Sequence, residues 1–581
     1  MNPFAKVSVR VWVGLAFAFV GWQTLFDYDV GLALANGRWI AEHAAVPTTN
    51  VFSPLFESRP WVNDKWLFHW LAHVLIDGIA PVAAKLVRCG LLFLLGFTIA
   101  APKTTWSPFL CLTALLAAHE RFGFRPELLT LLFVAFFVRL IARKFALTRK
   151  GFLALCAVQI VWVNVHGFWV VGPILAAATA VGAWLDGKLR GEDRDDAKAR
   201  WLLPFALTAC AFVNPYGPFG FGLVRSPVDI LLDLKNNKDV YASAITEFVP
   251  PWSAFDVLPY DVLAYRVLAV LSLLVLLACN KRVRLVELLP LLALFAMSIE
   301  IRRNAAPFAI AAAPIVAVWL TRIRGVEHAR APAVTAASLL AAFVAAAHVT
   351  DHLYVHDGLD RSFFESNEPR LSPRVECEWV LDQLPDAPLF NSFSFGSTFQ
   401  GVAFPRRRAF IDGNTAGYPV EFLAEYAAFV TARADTAAFV ARYGIEQCVM
   451  KPAHPVLPKL LELGFTPVFG HAQAVVLVRG DSKYAARIEA TDVPRDVFPG
   501  RAGFVARCEL GLALWRAGRS AEALRVLDAA LEVRETALVQ FRRALAQSAL
   551  GRVDDAKASA RRALELEPSF APAAEWLARS K

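Results

Sequence analysis

The chain has 581 residues, 56% apolar and 19% charged, with a net charge of +9 and a mean hydropathy of +0.44. A soluble domain carries about 25% charged residues, so these figures exclude a single compact soluble domain, a collagen-like repeat and low-complexity disorder. The apolar excess fills residues 8–350 and then drops, which predicts a polytopic membrane protein with a soluble tail.

About eleven apolar runs approach the length of a bilayer crossing: 10–26, 84–101, 106–119, 126–143, 151–165, 167–186, 201–214, 260–279, 285–299, 305–321 and 332–349. The first run has no small-residue cleavage site, so it reads as a span and not as a removable signal. Four loops between runs are basic. They hold Arg143, Lys144, Arg149 and Lys150; Lys188, Arg190, Arg194, Lys198 and Arg200; Lys281, Arg282 and Arg284; and Arg322, Arg324 and Arg330. Positive loops stay cytoplasmic. With Lys6 and Arg10 at the start and an odd number of crossings, the N-terminus is expected inside and residues 351–581 outside. The basic residues therefore report orientation, and no nucleic-acid partner is expected.

That orientation sorts the polar residues. Asp27, Asp29, His119, Glu120, Arg125, Asn164, His166, Asn214, Glu247, Glu300, Arg302, Arg303 and Asn304 fall at outer span ends or in outer loops. Transporters keep ionisable groups near the midplane; here only Arg139 and Arg266 lie there. A reaction or binding event at the outer surface is expected instead. The pair Asp27 and Asp29 leaves the first span. It can hold a divalent metal against a lipid phosphate or supply a general base, and Asp29 can equally serve as an anionic helix cap. Arg125 and Arg303 offer forks suited to a phosphate, or they snorkel to headgroups. His166, in Asn164-Val165-His166-Gly167, suits a ligand contact or a structural hydrogen bond. The eight cysteines form no CxxC pair, which argues against zinc or thioredoxin chemistry. An oxidising compartment would permit one disulfide among Cys377, Cys448 and Cys508.

Residues 370–480 alternate helical and β-rich segments: helices at 374–384, 419–443 and 456–463, strands at 388–392, 408–412, 446–450, 466–470 and 474–479. This predicts a small α/β domain with a partly parallel sheet. Asn391-Ser392 and Asp412-Gly413-Asn414 end two strands, where open α/β sheets bind ligands and where turn formers also collect. Residues 482–500, with Pro494 and Pro499, read as a linker. Beyond it, Leu510-Gly511, Gly518, Ala523 and Ala530 are echoed by Gly551, Ala556, Ala563 and Pro568 about 33 residues later. This spacing resembles the tetratricopeptide repeat and implies either a docking surface for an envelope protein or peptide or helices that dock on the chain's own domain. The expected organisation is a transmembrane domain 1–350 with outer loop 27–65, an extracytoplasmic α/β domain 370–480, a linker 482–500 and helical repeats 501–581.

One resemblance spans the membrane half. Asp27-Tyr28-Asp29, Gly37-Arg38-Trp39-Ile40, Val46-Pro47, Trp61-Val62-Asn63 and Trp66-Leu67 follow one another in the first outer loop. Then come Arg125-Pro126-Glu127-Leu128, Trp162-Val163-Asn164-Val165-His166-Gly167, Asn214-Pro215-Tyr216-Gly217, Glu247 with Pro250 and Trp252, and Arg302-Arg303-Asn304-Ala305-Ala306-Pro307-Phe308. The series resembles bacterial polytopic proteins built like the GT-C glycosyltransferases. The resemblance implies transfer of a sugar from a polyprenyl-phosphate donor to an extracytoplasmic acceptor at the inner (cytoplasmic) membrane. It implies Asp29 as catalytic base or metal contact, with Asp27 beside it. The chain departs from the pattern at Ala33, where relatives carry His, and at Asp64-Lys65, where they carry His-Glu. A non-catalytic membrane scaffold is the competing expectation.

Overall fold

The structure is a computed structural model describing residues 3–26, 29–101, 104–141, 148–191, 197–216, 247, 249–255, 257–279, 282–326, 329–357, 359, 361–364, 372–384, 386–452, 454–470, 474–480, 501–516 and 518–580. The chain divides into two compact units. One comprises Met1–Asp27, Asn36–Thr48 and Trp61–Pro369, the other Tyr28–Ala35, Thr49–Pro60 and Arg370–Lys581. The outer loop, expected with the transmembrane part, is thus divided between them.

The first unit is helical. Helices Pro3–Gly21, Pro81–Ile99, Ser107–Ala118, Glu127–Ile141, Arg149–Val165, Val171–Arg190, Ala197–Ala209, Tyr260–Cys279, Leu285–Glu300, Ala305–Leu320 and Arg330–Val349 lie on the apolar runs. Among the described residues, five helical stretches are long and apolar enough to cross a bilayer: Pro81–Ile99, Gly167–Arg190, Tyr260–Cys279, Arg302–Leu320 and Arg330–Val349. A further, shorter apolar helical stretch is Trp66–Ile79. The basic residues Arg143, Lys144, Arg194 and Lys281 and the run Asp229 to Lys238 lie outside the described residues.

Small residues and buried carboxylates set the packing. Helix Pro3–Gly21 crosses Pro81–Ile99 where a β-carbon on Gly96 would stand 2.8 Å from Val13 O, a close approach typical of membrane helix pairs. Buried Asp186 accepts the Leu285 and Val286 amides (both 3.0 Å), and Asp357 accepts those of Tyr260 (2.8 Å) and Asp261 (3.3 Å). Each acid therefore satisfies orphan donors at the start of an apolar helix. Helix Val30–His43 runs through Gly37. Gly37 is what lets it lie on the next helix: a β-carbon there would meet His69 O at 2.3 Å.

The second unit holds a four-stranded sheet of β1 (Leu389–Asn391), β2 (Gln447–Met450), β3 (Phe465–Gly470) and β4 (Val475–Arg479), in the order β1-β2-β4-β3. Only β1 and β2 are parallel. Cys377, Val380, Phe395, Phe399, Val449, Val476 and Val478 form its core. Three expectations change here. Residues 408–412 are not a strand: the Asn391 side chain takes the place of a ladder, accepting from Phe410 N (2.8 Å) and donating to Ile411 O (2.7 Å). The helix expected at 419–443 is two, Val420–Val430 and Thr436–Tyr443. They are parted where Ala432 adopts φ 58° and Asp435 caps the second by accepting from Ala438 N. Helix Phe393–Ala403 was not foreseen. No disulfide joins any of the eight cysteines, against the one expected among Cys377, Cys448 and Cys508.

Beyond 482–500, which lies outside the described residues, come helices Arg501–Arg516, Ser520–Val533, Ala537–Ala549, Val553–Leu566 and Ala571–Arg579. Ala523, Ala530, Ala556 and Ala563 are fully buried between them, and Gly518 and Gly551 turn the chain at φ 76°. The first two lean on the sheet edge: Leu510 packs on Gly470, and Arg519 Nη1 donates to Pro467 O (2.5 Å).

Candidate functional site

Asp29 begins helix Val30–His43, accepting the Ala33 amide on its own carbonyl (3.1 Å). Its side chain lies against the loop Asp412-Gly413-Asn414. A β-carbon on Gly413 would stand 2.9 Å from Asp29 Oδ1 and 2.9 Å from Ser397 Oγ. Helix Phe393–Ala403 supplies the facing groups, because Gly31 and Gly401 let it and helix Val30–His43 touch backbone to backbone. Gln400 Nε2 donates to Asp412 Oδ2 (3.3 Å), Asn414 N to Asp412 Oδ1 (2.9 Å), and Asp412 N to Tyr418 Oη (3.1 Å). Segment 49–60 closes the surround: Asn50 Nδ2 donates to Gly417 O (3.0 Å), and Gln400 Nε2 also donates to Phe52 O.

Asp412 is wholly buried. Burial pushes its carboxyl up to about 6; the Asn414, Gln400 and Tyr418 hydrogen bonds oppose this, and the Asp29 charge adds to it. Asp29 and Asp412 thus both border the Gly413 turn. Asp412-Gly413-Asn414 was read from the sequence as a strand-end candidate, but nothing in the sequence joined it to Asp29. The residues are about 380 positions apart, and the signal needed was contact.

Arg125, Arg303 and His166 belong to the other unit, where the structure gathers them around Glu127 and Glu247. Arg303 Nη2 is bonded to Glu127 Oε1, which also lies 3.9 Å from His166 Nε2. Arg125 Nη1 lies 3.6 Å and Arg121 Nη1 2.8 Å from Glu247 Oε1. Arg302 makes a bidentate pair with Asp261 at 2.7 and 2.8 Å. Each arginine foreseen for a phosphate therefore already has a carboxylate beside it. His166 Nδ1 is 2.8 Å from Thr130 Oγ1, which also accepts from Trp162 Nε1 (2.9 Å), so its ring is fixed inside a polar cluster. Against the upward push of burial, Arg121 and its neighbours hold Glu247 down at about 2. Asp64 packs on Gly167: a β-carbon there would meet Asp64 Oδ2 at 2.2 Å. Ala33 is buried.

Asp27 lies outside the described residues. Among the described residues no group of three or more His, Cys, Asp or Glu side chains is placed to hold a metal. Asp29 and Asp412 offer two carboxylates, short of the oxygen shell a divalent cation takes.

No family model and no curated protein matches the chain. Two solved structures from Archaeoglobus fulgidus are similar to it. The apo oligosaccharyltransferase superposes with a TM-score of 0.51 at 12% identity, covering 85% of this chain and 75% of that one. The oligosaccharyltransferase AglB in complex with an inhibitory peptide and a dolichol-phosphate gives 0.53 at 12% identity, covering 94% and 86%. At this identity the likeness is one of fold alone.

Proposed function

We propose that the protein moves a sugar from a polyprenyl-phosphate donor to an acceptor hydroxyl on the extracytoplasmic side, with Asp29 as general base. The observation that carries this is the Asp29 carboxylate held against Gly413 beside a second, buried carboxyl. It occurs in a fold shared with a protein solved with a dolichol-phosphate. In the reaction the acceptor oxygen bonds to the anomeric carbon and gives its proton to Asp29. The bond from that carbon to the phosphate oxygen breaks, and polyprenyl phosphate leaves with the electron pair. Asp27 is assigned to support Asp29. Arg125 and Arg303 are assigned to the donor phosphate, with His166 holding Glu127 and its neighbours in register.

The proposal extends to organisation: about eleven crossings at the inner membrane, N-terminus cytoplasmic, residues 351–581 outside. A transmembrane domain 1–350 leads to an α/β domain 370–480, and tetratricopeptide-like helices 501–581 dock an envelope protein or peptide. The carboxylate beside every one of Arg121, Arg125, Arg302 and Arg303 favours a second reading, a scaffold without catalysis.

The test is conversion of a polyprenyl-phosphate sugar by purified protein. Asp29→Asn keeps the shape and most hydrogen bonding and removes the charge, so transfer should fall on the order of 100-fold with no loss of thermal stability. Asp27→Asn and Arg125→Ala run alongside. Undiminished turnover in Asp29→Asn removes that residue from the chemistry. No turnover by the unaltered protein across a donor panel, with and without added Mg²⁺ or Mn²⁺, moves the reading to the scaffold.

A further inference from the structure

A second cluster stands at the carboxyl ends of the two parallel strands. Ser392 follows β1 and Lys451 follows β2, with His454 three residues on. Ser392 is 1% exposed; its Oγ accepts the Lys451 amide (3.1 Å) and lies 2.9 Å from His454 Nε2. That amide leaves Oγ a second lone pair and its own proton; where the proton is given to Nε2, the imidazole hydrogen sits on Nδ1. Burial, and then the Lys451 charge, hold His454 down at about 4, so the ring is a neutral donor at pH 7.

Lys451 is half-buried, and burial lowers its pKa. Its ammonium lies 5.9 Å from the centroid of the Phe395 ring. Among the described residues no carboxylate pairs with it, whereas the other buried or half-buried cations near a site in this chain, Arg121, Arg302 and Arg303, each have one. Ser392 also precedes helix Phe393–Ala403 without capping it. A cation and a neutral imidazole thus share one strand end, beside an 11-residue helix whose first amide already donates to Tyr426 Oη (2.6 Å).

We infer that Lys451 and His454, the latter oriented by Ser392, bind a phosphate group at the carboxyl end of β1 and β2. Lys451 supplies the charge and His454 Nδ1–H a directed hydrogen bond; Ser392 is a positioning residue. The site is separate from Asp29 and does not depend on the transferase reading. Either a lipid-linked phosphate or a soluble phosphate ester satisfies its chemistry.

The experiment is titration of the full-length protein in detergent with inorganic phosphate. It is read by calorimetry and by the ¹⁵N resonances of His454, assigned with His454→Gln. Saturable binding is expected in the unaltered protein and in Asp29→Asn. Lys451→Met should weaken it on the order of 10-fold, as loss of one charged hydrogen bond does, while Lys451→Arg retains it. Ser392→Ala should weaken it several-fold, about the worth of a neutral hydrogen bond, and shift the His454 tautomer signal. Lys459→Met, on the exposed helix nearby, should bind as before. Displacement by farnesyl phosphate or by glucose 6-phosphate supports the site and separates its two sources. No saturable binding, equal binding by Lys451→Met, or acetate binding as tightly as phosphate overturns the inference.

Discussion

Two buried carboxylates show how surroundings set chemistry at single residues. Glu247 meets Arg121 and Arg125 and stays ionised; Asp412 meets only neutral donors and the like charge of Asp29. The consequence for Asp412 is a stability that depends on pH. Its folded pKa, about 6, lies above the ordinary 3.8, so between those values the folded state binds the extra proton. Stability is then greatest below about pH 4, falls as pH rises to about 6, and is flat beyond. The rise of about two units corresponds to roughly 3 kcal/mol. Asp412→Asn should abolish that slope and raise the midpoint of thermal unfolding at pH 8. Melting curves from pH 4 to 8 check this, and a slope that survives the substitution assigns it to another group.

Among elements, the decisive contact is between helix Phe393–Ala403 and its neighbours. A β-carbon on Gly396 would stand 1.9 Å from Ile411 O, and one on Gly31 2.2 Å from Ser397 O. Both helices are placed by the absence of side chains, so the position of Asp29 against Gly413 depends on two glycines. Gly396→Ala should destabilise the unit by about 1–3 kcal/mol, the usual cost of overpacking. Limited proteolysis of the tail should show the loss. Gly90, with open space around it, is the control: Gly90→Ala should leave proteolysis unchanged. The same packing explains why 408–412 forms no strand. The chain there passes beneath the helix and bonds to the Asn391 side chain, which leaves no edge for a ladder.

At the scale of the whole chain the proposal turns on orientation. Charge bias in short loops sets which side each loop faces, and the alternating basic loops are the ground for proposing residues 351–581 outside. A reporter active only after export should be active when fused after Lys581, and one active only in the cytoplasm should be active near residue 195. A cytoplasmic tail would overturn the site assignments together, because Asp29 and Asp412 lie in one unit and must face the same side.

The sequence by itself determined the helical apolar runs, because a segment of sufficient length and apolarity has few options beyond a helix in a bilayer. It also marked the four strands β1 to β4, whose β-rich composition and turn boundaries are local properties. Asp29, Arg125, Arg303 and His166 stood out as outer polar groups for the same reason. What those groups touch was decided only by the tertiary structure. Arg303 faces Glu127 at a separation of 176 residues, and Asp29 faces Gly413 across about two thirds of the chain's length. Helix Phe393–Ala403 was hidden because its glycines and serines, poor helix formers alone, are needed for close packing. A glycine's permissiveness is visible in sequence; the backbone that will occupy the space beside it is not.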